Sequence, residues 1–69
     1  MVSVPVSAPL RILRLRQVIA RTGLSRSTIY HHISEGRFPK QVTLGPQSVG
    51  WVEGDVDAWI VGRIEASRN

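Results

Sequence analysis

The sequence contains no cysteine. Disulfide staples, zinc-finger thiolates and thiol nucleophiles are therefore all excluded. Aromatic bulk is scarce, with one Phe, one Tyr and two Trp, and the single Met is Met1. Lysine occurs only as Lys40. Long apolar runs are missing too. The longest, Ala58 to Val61, is far short of the roughly 20 residues of a membrane span. The opening MVSVPVSAP has no positive charge ahead of its apolar residues, and two prolines interrupt it, so no export signal is read there. A cytoplasmic location is the resulting expectation. Neither repeats nor low-complexity segments are present, and residues 1–9 read as a disordered lead.

What remains is one small domain of 69 residues, 42% of them hydrophobic. A chain of this size buries only about 60% of the surface its unfolded form exposes, which leaves little for a deep catalytic pocket. The formal net charge is +4, from nine basic and five acidic residues. It is unevenly placed. Residues 1–40 carry Arg11, Arg14, Arg16, Arg21, Arg26, Arg37 and Lys40 against Glu35, a balance of seven minus one, or +6. Residues 41–69 carry Arg63 and Arg68 against Glu53, Asp55, Asp57 and Glu65, two minus four, or −2. A polyanion would meet the first part, with the second as support.

Residues 10–15 are apolar and basic and suit a short strand. Leu15, Val18, Ile19 and Thr22 then form the stripe of a short helix. Gly23 ends it, since glycine accepts the left-handed conformation of a sharp exit turn. Ser25 is placed to cap a second helix, which runs to about Glu35 and stops at Gly36, with Pro39 beyond. Two short helices around a glycine turn fit a helix-turn-helix. After Pro39 the period changes to two. Val42 and Leu44, the turn Gly45-Pro46-Gln47-Ser48, then Val49 and Trp51 spell a β-hairpin. Gly50 marks a bulge or a close backbone approach. A last helix begins near Gly54, with Glu53, Asp55 and Asp57 favouring its dipole. Its apolar face is Val56, Trp59, Ile60 and Ile64, and Gly62 weakens its far end by about 1 kcal/mol, which predicts fraying.

On the second helix Ile29 and Ile33 define the buried side. Ser27, Tyr30, His31 and Ser34 fall on the far side, flanked by Thr28 and Glu35, with Arg26 near the helix start. An ordinary exposed face carries Glu, Lys and Gln, which are better helix formers. Short hydrogen-bonding side chains instead suit a helix seated in the major groove of DNA. Ser25 and Thr28 also have a local use as caps. Adjacent His31 and His32 face different directions and lack the i, i+4 spacing of a metal pair; no metal and no cofactor is expected. His32 points toward the buried side. Trp51 and Trp59 read as core. Asp55 and Asp57 are a helix-start pair, and no serine belongs to a nucleophile–base–acid pattern, so the chain is not read as an enzyme.

The segments TGLSRSTIY (Thr22–Tyr30), EGRFPK (Glu35–Lys40), LGPQSVGW (Leu44–Trp51) and DVDAWI (Asp55–Ile60), in this order and spacing, resemble the AlpA family of prophage regulatory proteins. The match covers about residues 10–67. The resemblance implies a small winged helix-turn-helix, related to phage excisionases and arranged like a MerR-type domain. The second helix would enter the major groove, and the Val42–Val52 hairpin would be a wing on the backbone or minor groove. It further implies transcriptional control of an integrated element, often with a part in its excision. Family members often carry Arg or Lys where this chain has His31 and Gln47.

The expectation is therefore a mainly α fold with a small β-hairpin: short strand, helix, turn, recognition helix, hairpin wing and C-terminal helix over residues 10–67, with 68–69 a tail. Its partner is double-stranded DNA, with self-association on tandem sites or an integrase as further partners. Ser25, Arg26, Ser27, Thr28, Tyr30, His31 and Ser34 are the candidate contacts of the second helix. Arg26, Arg37 and Lys40 are candidate phosphate holders, and Gln47 sits at the wing tip. Two alternatives stay open. One is a promoter regulator with no part in recombination. The other is an adaptor that docks on an integrase through its last helix, with DNA binding secondary.

Overall fold

Helix signals, glycine stops and a period-two stretch translate into six elements. The computed structural model describes residues 10–68; the disordered lead expected over 1–9, and Asn69 of the expected tail, lie outside the described residues. In chain order come β1 (Ile12–Leu13), α1 (Leu15–Thr22), α2 (Arg26–Ser34), β2 (Val42–Gly45), β3 (Ser48–Val52) and α3 (Glu53–Arg68).

The boundaries have local causes. At the start of α1, Gln17 Oε1 accepts from the Arg14 N–H at 2.8 Å, using one of the amides a helix start leaves free. The helix ends because Gly23 turns left-handed at φ 75° and returns its N–H to the Ile19 carbonyl at 2.8 Å. Thr22 Oγ1 tightens the turn, donating to the Val18 carbonyl at 2.8 Å and accepting from the Leu24 N–H at 3.2 Å. After α2, Gly36 takes φ 72°, which lets the Arg37 N–H fold back to the His32 carbonyl at 2.8 Å in the manner of a glycine-ended helix.

The core is drawn from almost every element. Leu13 of β1, Val18 of α1, Ile29 of α2, Trp51 of β3, Val56 of α3 and Phe38 of the α2–β2 loop are buried together. Each such side chain contributes about 1.5–3 kcal/mol on leaving water. Leu15, Ile19, Leu24, Tyr30, Ile33, Trp59 and Ile60 pack around them.

The elements expected from the sequence are present, and the class is broader than mainly α. The fold is mixed α/β, because the short N-terminal strand is joined to the hairpin in one three-stranded antiparallel sheet of order β1-β3-β2. Ile12 pairs with Val52 and Leu13 with Trp51, while Val42 pairs with Gly50, Thr43 with Val49 and Gly45 with Ser48. The register slips between Thr43 and Gly45, so the bulge lies at Leu44. Gly50 is the close approach. A Cβ there would overlap Ile12 Cγ2, and would lie 3.0 Å from the Leu13 carbonyl oxygen and 3.2 Å from Leu44 Cδ1.

One expectation for α3 also changes. Ile64, placed on the apolar face, is 44% exposed, because the helix outruns the core by its last turns. The helix runs through Gly62 to Arg68.

The glycine contact yields a test. Gly50→Ala crowds β1 against β3 and is expected to cost about 1–3 kcal/mol, as overpacking does. Urea denaturation measures this; an unchanged midpoint would mean the strands do not approach as described.

Candidate nucleic-acid interface

The outer face of α2 depends on how α2 is anchored. Ser25 caps the helix, accepting from the Thr28 N–H at 3.2 Å, and its hydroxyl lies 2.8 Å from Thr28 Oγ1. Ile29 is fully buried and fixes the helix rotation. With the inner side settled, Ser27, His31 and Ser34 are exposed together on the outer side, and Arg26 is exposed at the helix start.

Other sequence-derived site residues are differently employed. Ser25 and Thr28 are committed to the cap and to each other. Ser34 Oγ donates to the His31 carbonyl at 2.6 Å, which uses its hydrogen and leaves the oxygen free to accept. Tyr30, expected on the far side, is half-buried: its ring meets Trp51 edge-on with centroids 6.2 Å apart. The periodicity misplaced it because Trp51, twenty-one residues on, covers that flank of the helix. The Arg26 guanidinium carbon lies 6.0 Å from the Tyr30 ring centroid, within cation–π range. Tyr30 thus joins the core to the outer face and steadies Arg26.

The α2–β2 loop presents Arg37 and Lys40, both exposed. Its path is set by two indoles. Trp59 Nε1 donates to the Arg37 carbonyl at 2.7 Å and Trp51 Nε1 to the Pro39 carbonyl at 3.0 Å. Phe38, between them in sequence, is buried with its ring edge-on to Trp59 at 4.9 Å. Gln47 is exposed in the turn joining β2 and β3.

Electrostatics sort the arginines into two sets. Arg21 Nε donates to Asp57 Oδ1 at 2.7 Å, and its Nη1 lies 3.9 Å from Glu53 Oε2. Arg11 Nε is 4.0 Å from the same Glu53 oxygen. The hydrogen bond to Asp57, then its charge, hold the Arg21 guanidinium pKa above its ordinary value. Two of the four acidic residues that make the C-terminal part negative, Glu53 and Asp57, are thus spent on Arg11 and Arg21. Just past the end of α2, Glu35 Oε1 lies 3.4 Å from His31 Nε2 and 3.7 Å from Arg37 Nη1. Among the described residues, Arg14, Arg16, Arg26, Lys40, Arg63 and Arg68 have no ion pair. Sequence reasoning missed the Arg21–Asp57 pair because its members are 36 residues apart; their opposite charge was the sole signal.

Removing the cap should separate structural from outward hydroxyls. Ser25→Ala is expected to cost about 0.5–2 kcal/mol in chemical denaturation. Ser27→Ala should stay within about 0.5 kcal/mol, as a surface change. Equal losses would contradict the division.

The model of the family described as prophage CP4-57 regulatory protein (AlpA) matches residues 11–64. A protein of Enterobacteria phage P4 named uncharacterized protein ORF88 is 52% identical over 54 residues, which cover 78% of this chain and 61% of that protein. The chain thus spans less than two thirds of that relative's length. The Escherichia coli K12 protein named DNA-binding transcriptional activator AlpA is 44% identical over 59 residues, covering 77% of this chain and 84% of the relative. No solved structure gives a significant match.

Proposed function

Because the chain belongs to the AlpA family of prophage regulatory proteins, we propose that it is a sequence-specific DNA-binding regulator of an integrated genetic element, built as a winged helix-turn-helix. α1, the Gly23 turn and α2 are the helix-turn-helix, the β2–β3 hairpin is the wing, and α3 closes the core. The observation that carries this reading is the outer face of α2. It offers Ser27, His31 and Ser34 to solvent, all short enough for close approach to base edges.

The roles divide by chemistry. Ser27 and His31 read base edges, with the Ser34 hydroxyl beside them. The Tyr30 hydroxyl and Arg26 reach the groove wall, and Arg26, Arg37 and Lys40 hold phosphates. Ser25 and Thr28 act through the cap, keeping the N-terminal amides of α2 in place. Gln47 brings an uncharged amide to the wing tip. A module of this size has a footprint of about 600–1,000 Å², so useful specificity draws on tandem sites or a partner. Promotion of excision, through copies lined along bent DNA, is the finer form of this function.

A second reading has one observation in its favour. Val61 and Ile64 on α3 are 53% and 44% exposed, an apolar stripe suited to docking on an integrase. In that reading DNA binding is secondary.

Gel-shift titration against the element's attachment and promoter DNA decides between them. Affinity should fall with rising salt, and Arg26→Ala or Lys40→Ala should each lower the slope of log affinity against log salt by about 1. His31→Ala should reduce discrimination against altered sites by about 1–3 kcal/mol. Tyr30→Phe tests the hydroxyl without disturbing Trp51. Binding indifferent to salt, or discrimination unchanged in His31→Ala together with Ser27→Ala, would overturn the reading. An excision assay with the integrase present separates an excision role from transcription control alone.

A further inference from the structure

Two surface grooves carry arginine, and they differ in how their charge is used. The first is lined by Arg11, Leu13, Gln17, Ala20, Arg21 and Glu53. Both of its arginines are held by acids, at 4.0 Å for Arg11–Glu53 and 2.7 Å for Arg21–Asp57. The second is lined by Leu24, His32, Arg37, Trp59 and Arg63. No acid lines it, and Arg63 has no ion pair among the described residues. Arg37 has only the long 3.7 Å approach to Glu35. His32 Nδ1 is buried without a hydrogen-bond partner.

The second groove is also built. The Trp59 indole fixes the Arg37 backbone through its 2.7 Å hydrogen bond. Arg63 follows Trp59 by four residues on α3 and so rises on the same side of that helix. One tryptophan thus ties the Arg37 backbone to the helix that carries Arg63. The groove's position relative to α2 matters as well. Tyr30 lies on the flank of α2 that meets Trp51 of the hairpin. His32, two residues on, lies about 200° round the helix, on the flank toward α3. The outer face of α2 is therefore bordered by the hairpin on one side and by the groove on the other.

We propose that the groove of His32, Arg37, Trp59 and Arg63 binds a DNA backbone phosphate, on the side of the recognition helix opposite the wing. Arg63 is the new contact, and α3 becomes part of the DNA interface. Guanidinium groups match phosphate oxygens in a forked geometry, and a cationic groove without an acid in its lining has no internal counter-ion to release. Contacts on both sides of α2 would fix its depth and angle, the positioning task that phosphate contacts perform.

This inference rests on the DNA-binding reading above, and the test keeps the two apart. Affinity for the cognate duplex is measured against salt for the wild type, Arg63→Ala, Arg63→Lys and Arg68→Ala. Arg68 is on the same helix but outside the groove. Arg63→Ala should lower the slope by about 1, so that a fourfold rise in salt costs it about three- to fourfold less affinity than it costs the wild type. Base discrimination should not change, Arg63→Lys should restore most of the slope, and Arg68→Ala should match the wild type. A salt-dependent wild type with an unchanged slope in Arg63→Ala would overturn the groove and leave the α2 reading intact. An equal fall in Arg68→Ala would also overturn it, by pointing to a general charge effect. A wild type that binds no DNA would sink both. Arg63 is exposed, and an unchanged thermal midpoint would tie the slopes to binding.

Discussion

The two tryptophan indoles hold the structure to its shape. Their N–H groups end on carbonyls two residues apart, Arg37 and Pro39, and between those lies the buried ring of Phe38. A hydrogen bond of this kind contributes about 0.5–1.5 kcal/mol net. Truncating a buried Trp costs about 3–5 kcal/mol. Burial therefore supplies the stability, and the hydrogen bonds decide where the loop goes. The loop joins α2 to the hairpin. Pinning it to β3 through Trp51 and to α3 through Trp59 fixes the angle between α2 and the β2–β3 hairpin. Trp51 adds the edge-on contact with Tyr30, so the same side chain braces α2 from the opposite flank.

The charge pattern acquires a second meaning in three dimensions. The sequence divides into a basic first part and an acidic remainder. In the fold, two of that remainder's four acids, Glu53 and Asp57, are laid against Arg11 and Arg21. These exposed pairs add little stability. Their effect is on the field, because they cancel positive charge at Arg11 and Arg21 and leave Arg14, Arg16, Arg26, Lys40, Arg63 and Arg68 without an ion pair among the described residues. Glu35 is the exception, since it lies beside His31 and Arg37. A carboxylate there opposes indiscriminate attraction to phosphate and favours contacts that return more than charge.

Local signals were legible where their cause is local. Gly23, Ser25 and Gly36 mark helix ends because a left-handed turn or a side-chain cap needs those residue types within a few positions. The switch to period two after Pro39 marks the hairpin for the same reason. The third strand, the Tyr30–Trp51 contact and the Arg21–Asp57 pair were not legible, since each joins residues far apart in the chain. Gly50 sits between these cases. Its presence signalled a close approach, but only the fold names Ile12 and Leu13 as what approaches. For the candidate site, Ser27, His31 and Ser34 follow from helix periodicity and are exposed together, while Arg26 follows from its place at the helix start. Arg63 escaped notice because it belongs to a helix that reads as support, and its pairing with Arg37 runs through Trp59.

Backbone amide NMR during titration with a cognate duplex tests the central claim most directly, because it reports every element at once. The largest shifts are expected along the outer side of α2, at Ser27, His31 and Ser34, with further shifts at Gln47 and around Arg37. The buried positions Val18 and Val56 should stay still. Shifts confined to the exposed α3 stripe of Val61 and Ile64, with α2 silent, would contradict the claim and favour a protein-docking role.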